Sequence, residues 1–193
     1  MNKMLLLLLA ITVTSGNLMA QDSTLKTADW KSDFHSFNTV QLLNGSSTIS
    51  LAINTVNGIQ FGKFFAGLGA GFDYYYHTTI PVFIEPRFDL ARRKGKLQLF
   101  GNAGLSIPFT AQNDNQEYKS GHYKTGSLYG AGIDYLVPVK KEAVIVGLAF
   151  SNKQVIQMVD NNVWNPLLNS FENIPTEDKY AFNRIAIRIG WMF

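Results

Sequence analysis

From about residue 37 onward the chain alternates between bulky apolar side chains and small or charged ones, segment after segment. A period of two belongs to extended strands, whose successive side chains point to opposite faces. Eight such segments are expected, at 37–45, 48–61, 64–77, 79–92, 96–110, 125–139, 143–157 and 180–193. Most are longer than the roughly 5–6 residues usual in soluble sheets. They reach the roughly 9–11 residues a tilted strand needs to cross a bilayer. The fold class expected is all-β, an eight-stranded antiparallel barrel.

The two faces differ in the same way on strand after strand. In the third, Phe64, Ala66, Leu68, Ala70, Phe72 and Tyr74 oppose Gly67, Gly69, Gly71 and Asp73. In the fourth, Ile80, Val82, Ile84, Phe88 and Leu90 oppose Phe83, Glu85, Arg87 and Asp89. In the fifth, Leu97, Leu99, Ala103, Leu105, Ile107 and Phe109 oppose Gln98, Asn102, Ser106 and Thr110. In the sixth, Tyr129, Ile133, Tyr135 and Val137 oppose Gly130, Gly132 and Asp134. In the last, Ile185, Ile187, Ile189, Trp191 and Phe193 oppose Arg184 and Arg188.

Alternation leaves open which face lies inside. A soluble lipocalin-like carrier puts its apolar face inward, and a membrane barrel reverses this. The lumen of eight strands is only wide enough to be filled by side chains, so it cannot hold the bulky series. Small residues and charges of both signs can fill it if they pair. The expectation is a transmembrane barrel, apolar outside and polar inside. Its interior charge network would be Asp73, Glu85, Arg87, Asp89, Asp134, Arg184 and Arg188, with Lys153 on the same face.

Residues 1–20 read as a secretory signal peptide: Lys3, then an apolar run from Met4 to Val13 broken only by Thr12, then Ala20 before Gln21. The apolar run is shorter than the roughly 20 residues of a spanning helix. The chain contains no cysteine, which excludes a lipidated cysteine, disulfides and thiolate metal sites. Residues 21–36, with Trp30, read as a periplasmic N-terminal segment, and 37–193 as the barrel domain. The formal net charge is +3, and the basic clusters fall in turns rather than in a stripe, so a nucleic-acid partner is not expected.

The connections alternate. Those near Lys63, at 92–96 and at 139–143 are short, and those at 111–124 and 158–179 are long and polar. Short periplasmic turns facing longer external loops would put both termini in the periplasm. Lys63, Arg92, Arg93, Lys94, Lys96, Lys140 and Lys141 mark the periplasmic turns. Tyr74, Tyr75, Tyr76 and His77 at one end, and Phe61, Phe64, Trp191 and Phe193 at the other, read as interfacial aromatic girdles. The second long loop carries Trp164, Pro166, Leu167, Leu168 and Phe171. Trp164, Leu167, Leu168 and Phe171 form either a cover for the barrel mouth or a contact patch for an external partner.

The segment Arg184-Ile-Ala-Ile-Arg-Ile-Gly-Trp-Met-Phe193 resembles the terminal assembly signal of outer-membrane barrels, with Ile189, Trp191 and Phe193 in alternation. The stretches Asn57–Tyr75 and Ile80–Phe88 resemble the small OmpA/OmpX-like barrel domains of the Bacteroidota type. The resemblance covers nearly all of 37–193. It implies the outer membrane of a Gram-negative cell, with outer-membrane lipids and the barrel-assembly machinery as partners; because the last barrel strand ends the sequence, no peptidoglycan-binding domain is expected after it.

No cofactor or metal is expected. His35, His77 and His122 are scattered, and Asp114 and Glu117 lack the regular oxygen-ligand spacing of a calcium loop. Gly67, Gly69 and Gly71 lie within a strand and do not open a helix. The reading is a monomeric, non-enzymatic barrel without an open pore, structural or surface-interacting through its loops, with an unknown external partner. Two alternatives are a lipid-modifying enzyme using His77 or His122 near the rim, and a soluble periplasmic carrier.

Overall fold

The computed structural model describes residues 32–46, 48–92, 95–109, 119–165 and 170–193. Residues 1–31, on which the expected signal peptide and most of the expected N-terminal segment fall, lie outside the described residues. The strands are β1 (Ser32–Gly45), β2 (Ile49–Phe61), β3 (Phe64–Asp73), β4 (Thr79–Arg92), β5 (Lys96–Pro108), β6 (Lys119–Lys124), β7 (Gly126–Val139), β8 (Glu142–Asn165) and β9 (Ser170–Met192). No helix occurs among the described residues.

Every seam is antiparallel, and the wall runs β1-β2-β3-β4-β5-β7-β8-β9 before closing from β9 to β1. That closing seam pairs residues from Phe37↔Met192 to Gly45↔Arg184. It is extended by Ser36, whose N–H donates to the Phe193 carbonyl at 3.2 Å and whose carbonyl accepts from Phe193 N–H at 3.0 Å. The result is an eight-stranded closed barrel, which leaves no sheet edge along the wall. β6 is a ninth piece. Beyond Thr125 it continues the line of β7 along β8, pairing from Lys124↔Ile156 to Lys119↔Asn161.

β1 starts at Ser32, so 32–36 belong to the barrel wall rather than to a segment before it. The expected loop at 158–179 is instead a β-hairpin. β8 and β9 stay paired from Ala143↔Met192 out to Asn165↔Ser170. Val155, Ile156, Val159 and Val163 on one side, and Ile174, Thr176 and Tyr180 on the other, supply β-branched and aromatic residues that favour an extended ladder. The polar residues among them hid the alternation.

At one end the strands join through tight turns. Phe61 pairs with Phe64 and Val139 with Glu142, and Gly62 and Lys140 take left-handed φ of 59° and 58°. A left-handed first residue matches a two-residue turn to the twist of the strands. At the other end the 74–78 connection is folded tightly. His77 N–H donates to the Tyr75 carbonyl at 2.7 Å around Tyr76, whose φ is 62°, a γ-turn of the rarer, strained kind.

The β4–β5 ladder is interrupted twice. It keeps register from Ile84↔Ala103 to Arg87↔Phe100 but skips Glu85 and Pro86, and it shifts between Asp89 and Ala91. Pro86 has no N–H to give.

Candidate functional site

Inward side chains come from alternate positions of every barrel strand and form two polar layers. In the layer nearer the tight turns, Asp89, Gln98, Asp134, Gly147, Arg188 and Gln41 follow one another as cross-strand partners around the wall. Arg87 is its hub. Its Nε donates to Glu85 Oε1 at 2.8 Å, and its Nη1 donates to Asp134 Oδ2 at 2.9 Å and to Gln98 Oε1 at 3.3 Å. Gln98 Nε2 donates to Asp89 Oδ1 at 2.7 Å, and Asp89 Oδ2 pairs with Lys96 Nζ at 2.7 Å. Arg188 Nε lies 3.7 Å from Asp134 Oδ1. The guanidinium carbons of Arg87 and Arg188 each sit 3.9 Å from a ring centroid, of Phe37 and Phe100 respectively. Planar cations stacked on aromatic faces keep a favourable electrostatic contact where water is excluded. Glu85, Asp89 and Asp134 balance Arg87, Lys96 and Arg188.

The second layer closes the mouth. Asp73 Oδ2 accepts from Arg184 Nη1 at 2.6 Å, and Asp73 Oδ1 accepts from Tyr75 N–H at 2.9 Å and Lys153 Nζ at 3.2 Å. Lys153 Nζ also donates to the carbonyls of Tyr75 at 2.9 Å and His77 at 2.8 Å. All three ammonium protons are thus committed, and the 74–78 connection is tied inward. Between the layers lies a cavity of about 30 Å³ whose wall includes Asp73, Arg184, Asn54, Asn102 and Ser151.

The seven charged residues expected inside are all buried, at 3% exposure or less, and so is Lys153. The lumen is also more apolar than expected. Phe37, Phe65, Leu43, Leu136 and Ile145 fill it beside the charges. Lys96 is a further departure: it reaches Asp89 instead of serving the turn. The signal for Lys96 was its even-numbered phase with Gln98, at a position where strand and turn meet. Tyr75 and His77 are not girdle residues. Tyr75 is fully buried and His77 is 6% exposed, while Tyr74 and Tyr76 remain exposed. Three successive tyrosines carry no sequence clue that the γ-turn sends the middle one inward.

Outward, Leu68, Ile185, Leu148 and Ile189 are 70, 64, 62 and 60% exposed. Trp191 lies partly buried in the wall and donates from Nε1 to Glu142 Oε2 at 2.9 Å. Phe193 is exposed in side chain and held by backbone at Ser36.

The hairpin continues past the barrel. β1 leaves β9 at Gly45↔Arg184, so from Ser170 to Asn183 β9 has β8 beside it and, among the described residues, no strand on its other edge. Side chains 174–181 are exposed. Glu177 lies 3.1 Å from Lys179 and 3.6 Å from Lys124 on β6. The hydrogen bond and charge of Lys179, aided by Lys124, hold its carboxyl below the ordinary glutamate range. Of the proposed contact patch, Trp164 and Phe171 are backbone partners near the tip, whereas Leu167 and Leu168 lie outside the described residues.

The histidines do not converge. His77 stacks on Tyr123 at 4.0 Å, and His35 Nδ1 lies 3.2 Å from the Phe193 carbonyl. The described residues contain no cluster of three or more metal-ligating side chains.

Neither known protein families nor curated proteins give a match to this chain.

Proposed function

We propose that the protein is an integral outer-membrane barrel of the OmpA/OmpX-like kind. It is sealed against conduction and acts at the cell surface through the β8–β9 hairpin. The observation that carries this reading is the distribution of side chains in a closed wall. Branched aliphatic and aromatic groups project outward on every barrel strand, while Arg87, Arg188, Lys153 and their carboxylates are buried within. Water would drive the opposite arrangement. A hydrocarbon solvent favours this one, because a closed barrel satisfies every backbone group of its wall. The tight-turn end then faces the periplasm and the hairpin faces outward. The packed, paired lumen supports the absence of a pore. A carrier needs room for a ligand, and the space between the layers is about 30 Å³.

The far edge of β9, along which no other strand is paired among the described residues, supports the surface role. An open edge offers N–H and C=O groups in register for an added strand. The lipid-modifying alternative would rest on His77 or His122, of which His77 is buried against Tyr123 and His122 lies on β6. The test is heat-modifiable migration of the protein from isolated outer membranes, boiled against unboiled. A mobility shift in that fraction is expected. A soluble periplasmic protein without a shift overturns the reading. For the surface role, deletion of 161–173 should leave the shift intact and abolish binding of cells to surface ligands. Unchanged binding refutes it.

A further inference from the structure

The outward series of β3, β4 and β5 is apolar or glycine throughout. It reads Phe64, Ala66, Leu68, Ala70 and Phe72 on β3, Ile80 to Leu90 on β4, and Leu97 to Ile107 on β5. β1 and β2 break this pattern. Ser36 and Asn38 on β1 face outward beside Asn57 and Thr55 on β2, as direct cross-strand partners. On the β9 side it adjoins Trp191 and Phe193, but within β1 and β2 it lies inside the strand ends. Along β1 it lies between Phe34, 67% exposed, and Val40 and Leu42. Along β2 it lies between Ile53, 48% exposed, and Ile59 and Phe61. Apolar side chains thus continue beyond it toward both ends of the barrel.

Three members satisfy one another. Thr55 Oγ1 donates to Asn38 Oδ1 at 2.9 Å, and Asn38 Nδ2 donates to Ser36 Oγ at 3.3 Å. The fourth, Asn57, is exposed, and its amide has no hydrogen-bond partner among the described residues. Beside it, on the β3 side, the wall is hollowed. A cleft of about 500 Å³ is lined by Asn57, Ile59, Ala66, Gly67, Ile84 and Pro86. It sits where small side chains meet the interrupted β4–β5 ladder.

We propose that this face of β1–β2 is the contact between two copies of the chain within the membrane. This rests on the outer-membrane reading and departs from the monomer expected from sequence. In water an exposed asparagine is solvated. In hydrocarbon its amide lacks a partner, and helical membrane proteins relieve the same situation by hydrogen bonds between polar side chains where small residues let the chains approach. A carboxamide donates and accepts, so the side chain that fits Asn57 best is another Asn57. Two copies embedded with the same orientation are related by an axis along the membrane normal, and the same patch then meets itself. Asn57 lies at that axis. The cleft on its β3 side faces the β1 side of the other copy, where Phe34, Val40 and Leu42 project and can enter it. The polar amides fix the register and the cleft supplies the close approach.

The chain has no cysteine, so a single introduced thiol reports on self-contact directly. Asn57→Cys, and Ile133→Cys on the distant β7 wall as a control, are oxidised in isolated outer membranes. A disulfide-linked dimer is expected as the major species for Asn57→Cys and as a minor one for Ile133→Cys. The unmodified protein in mild detergent should run as a dimer by light scattering. Asn57→Leu and the cleft-filling Ala66→Trp should each be at least tenfold less dimeric while keeping their heat shift. Equal, low cross-linking at both positions together with a monomeric protein overturns the proposal. A phospholipid retained by the monomeric protein and displaced in Ala66→Trp also overturns it, and assigns the cleft to a lipid chain. Loss of the heat shift and of membrane association in the unmodified protein removes the outer-membrane reading itself, and this proposal with it.

Discussion

Replacing Asp73 with alanine tests the account of the sealed mouth most directly. The carboxylate is 3% exposed and is the shared anion for Lys153 and Arg184, whose side chains are 0 and 2% exposed. Truncation leaves two like charges buried without an anion, and it removes the acceptor for Tyr75 N–H. Breaking a buried pair by deleting one partner costs about 3–5 kcal/mol. With an m-value of about 2 kcal/mol/M, the urea midpoint should fall by about 1.5–2.5 M. The assay is urea unfolding in lipid vesicles, followed by tryptophan fluorescence in a background with Trp30→Phe and Trp164→Phe, which leaves Trp191 in the wall as the reporter. Asp89→Ala is the internal comparison. Its cation Lys96 is 21% exposed and can rehydrate, whereas Gln98 Nε2 loses its buried acceptor, so a loss of about 1–3 kcal/mol is expected, below that of Asp73→Ala. A double variant, Asp73→Ala with Lys153→Met, should recover part of the loss. If Asp73→Ala and Asp89→Ala cost the same, burial of the mouth cluster is not what gives it weight.

Other outcomes follow from the same geometry. A Cβ on Gly147 would collide with Asp134 Oδ1, so Gly147→Val should displace the carboxylate from Arg87 and Arg188. The expected loss is about 2–3 kcal/mol, and an unchanged urea midpoint would refute it. Glu177, held low by Lys179, should titrate by NMR below a free glutamate. Its ionised form and the contact with Lys179 are complete above the ordinary carboxylate range and are lost as pH falls through the lowered pKa. Lys179→Met should move the midpoint upward. Planar bilayers containing the protein should show no large, stable openings, since both polar layers cross the lumen.

Much of the wall was legible because a barrel strand reports its two faces in alternate letters. Asp73, Glu85, Arg87, Asp89, Asp134, Arg184 and Arg188 share a face by phase, and the narrow lumen of eight strands puts that face inside. Phase does not report partners. That Arg87 would gather Glu85, Gln98 and Asp134 depends on the cross-strand register, which the turns and the Asp89/Ala91 shift set. Phe37, Phe65 and Ile145 went unnoticed as lumen residues because an apolar letter on a polar face looks like noise. The hairpin was hidden for the converse reason. Beyond the closed wall Gln157 and Asp160 fall in opposite phases on β8, and Glu177 and Asp178 do so on β9, which erases the alternation while the backbone ladder continues. The Tyr76 γ-turn is a three-residue event with no composition of its own.

Closure has a kinetic side. Seven of the eight seams join strands that are neighbours along the wall-forming chain, and β1–β9 joins its extremes, with His35 meeting Phe193 across 158 residues. Hairpins of adjacent strands can zip early, but the seam of highest contact order must wait until β9 is available. The Lys153–Asp73 and Arg184–Asp73 contacts span 80 and 111 residues, so the lumen charges find their counter-ions late. Until then the chain carries an apolar outer surface, open edges on β1 and β9, and half-neutralised charges together. It is most vulnerable to aggregation in that interval, and a chaperone would have to cover the edge of β1 longest.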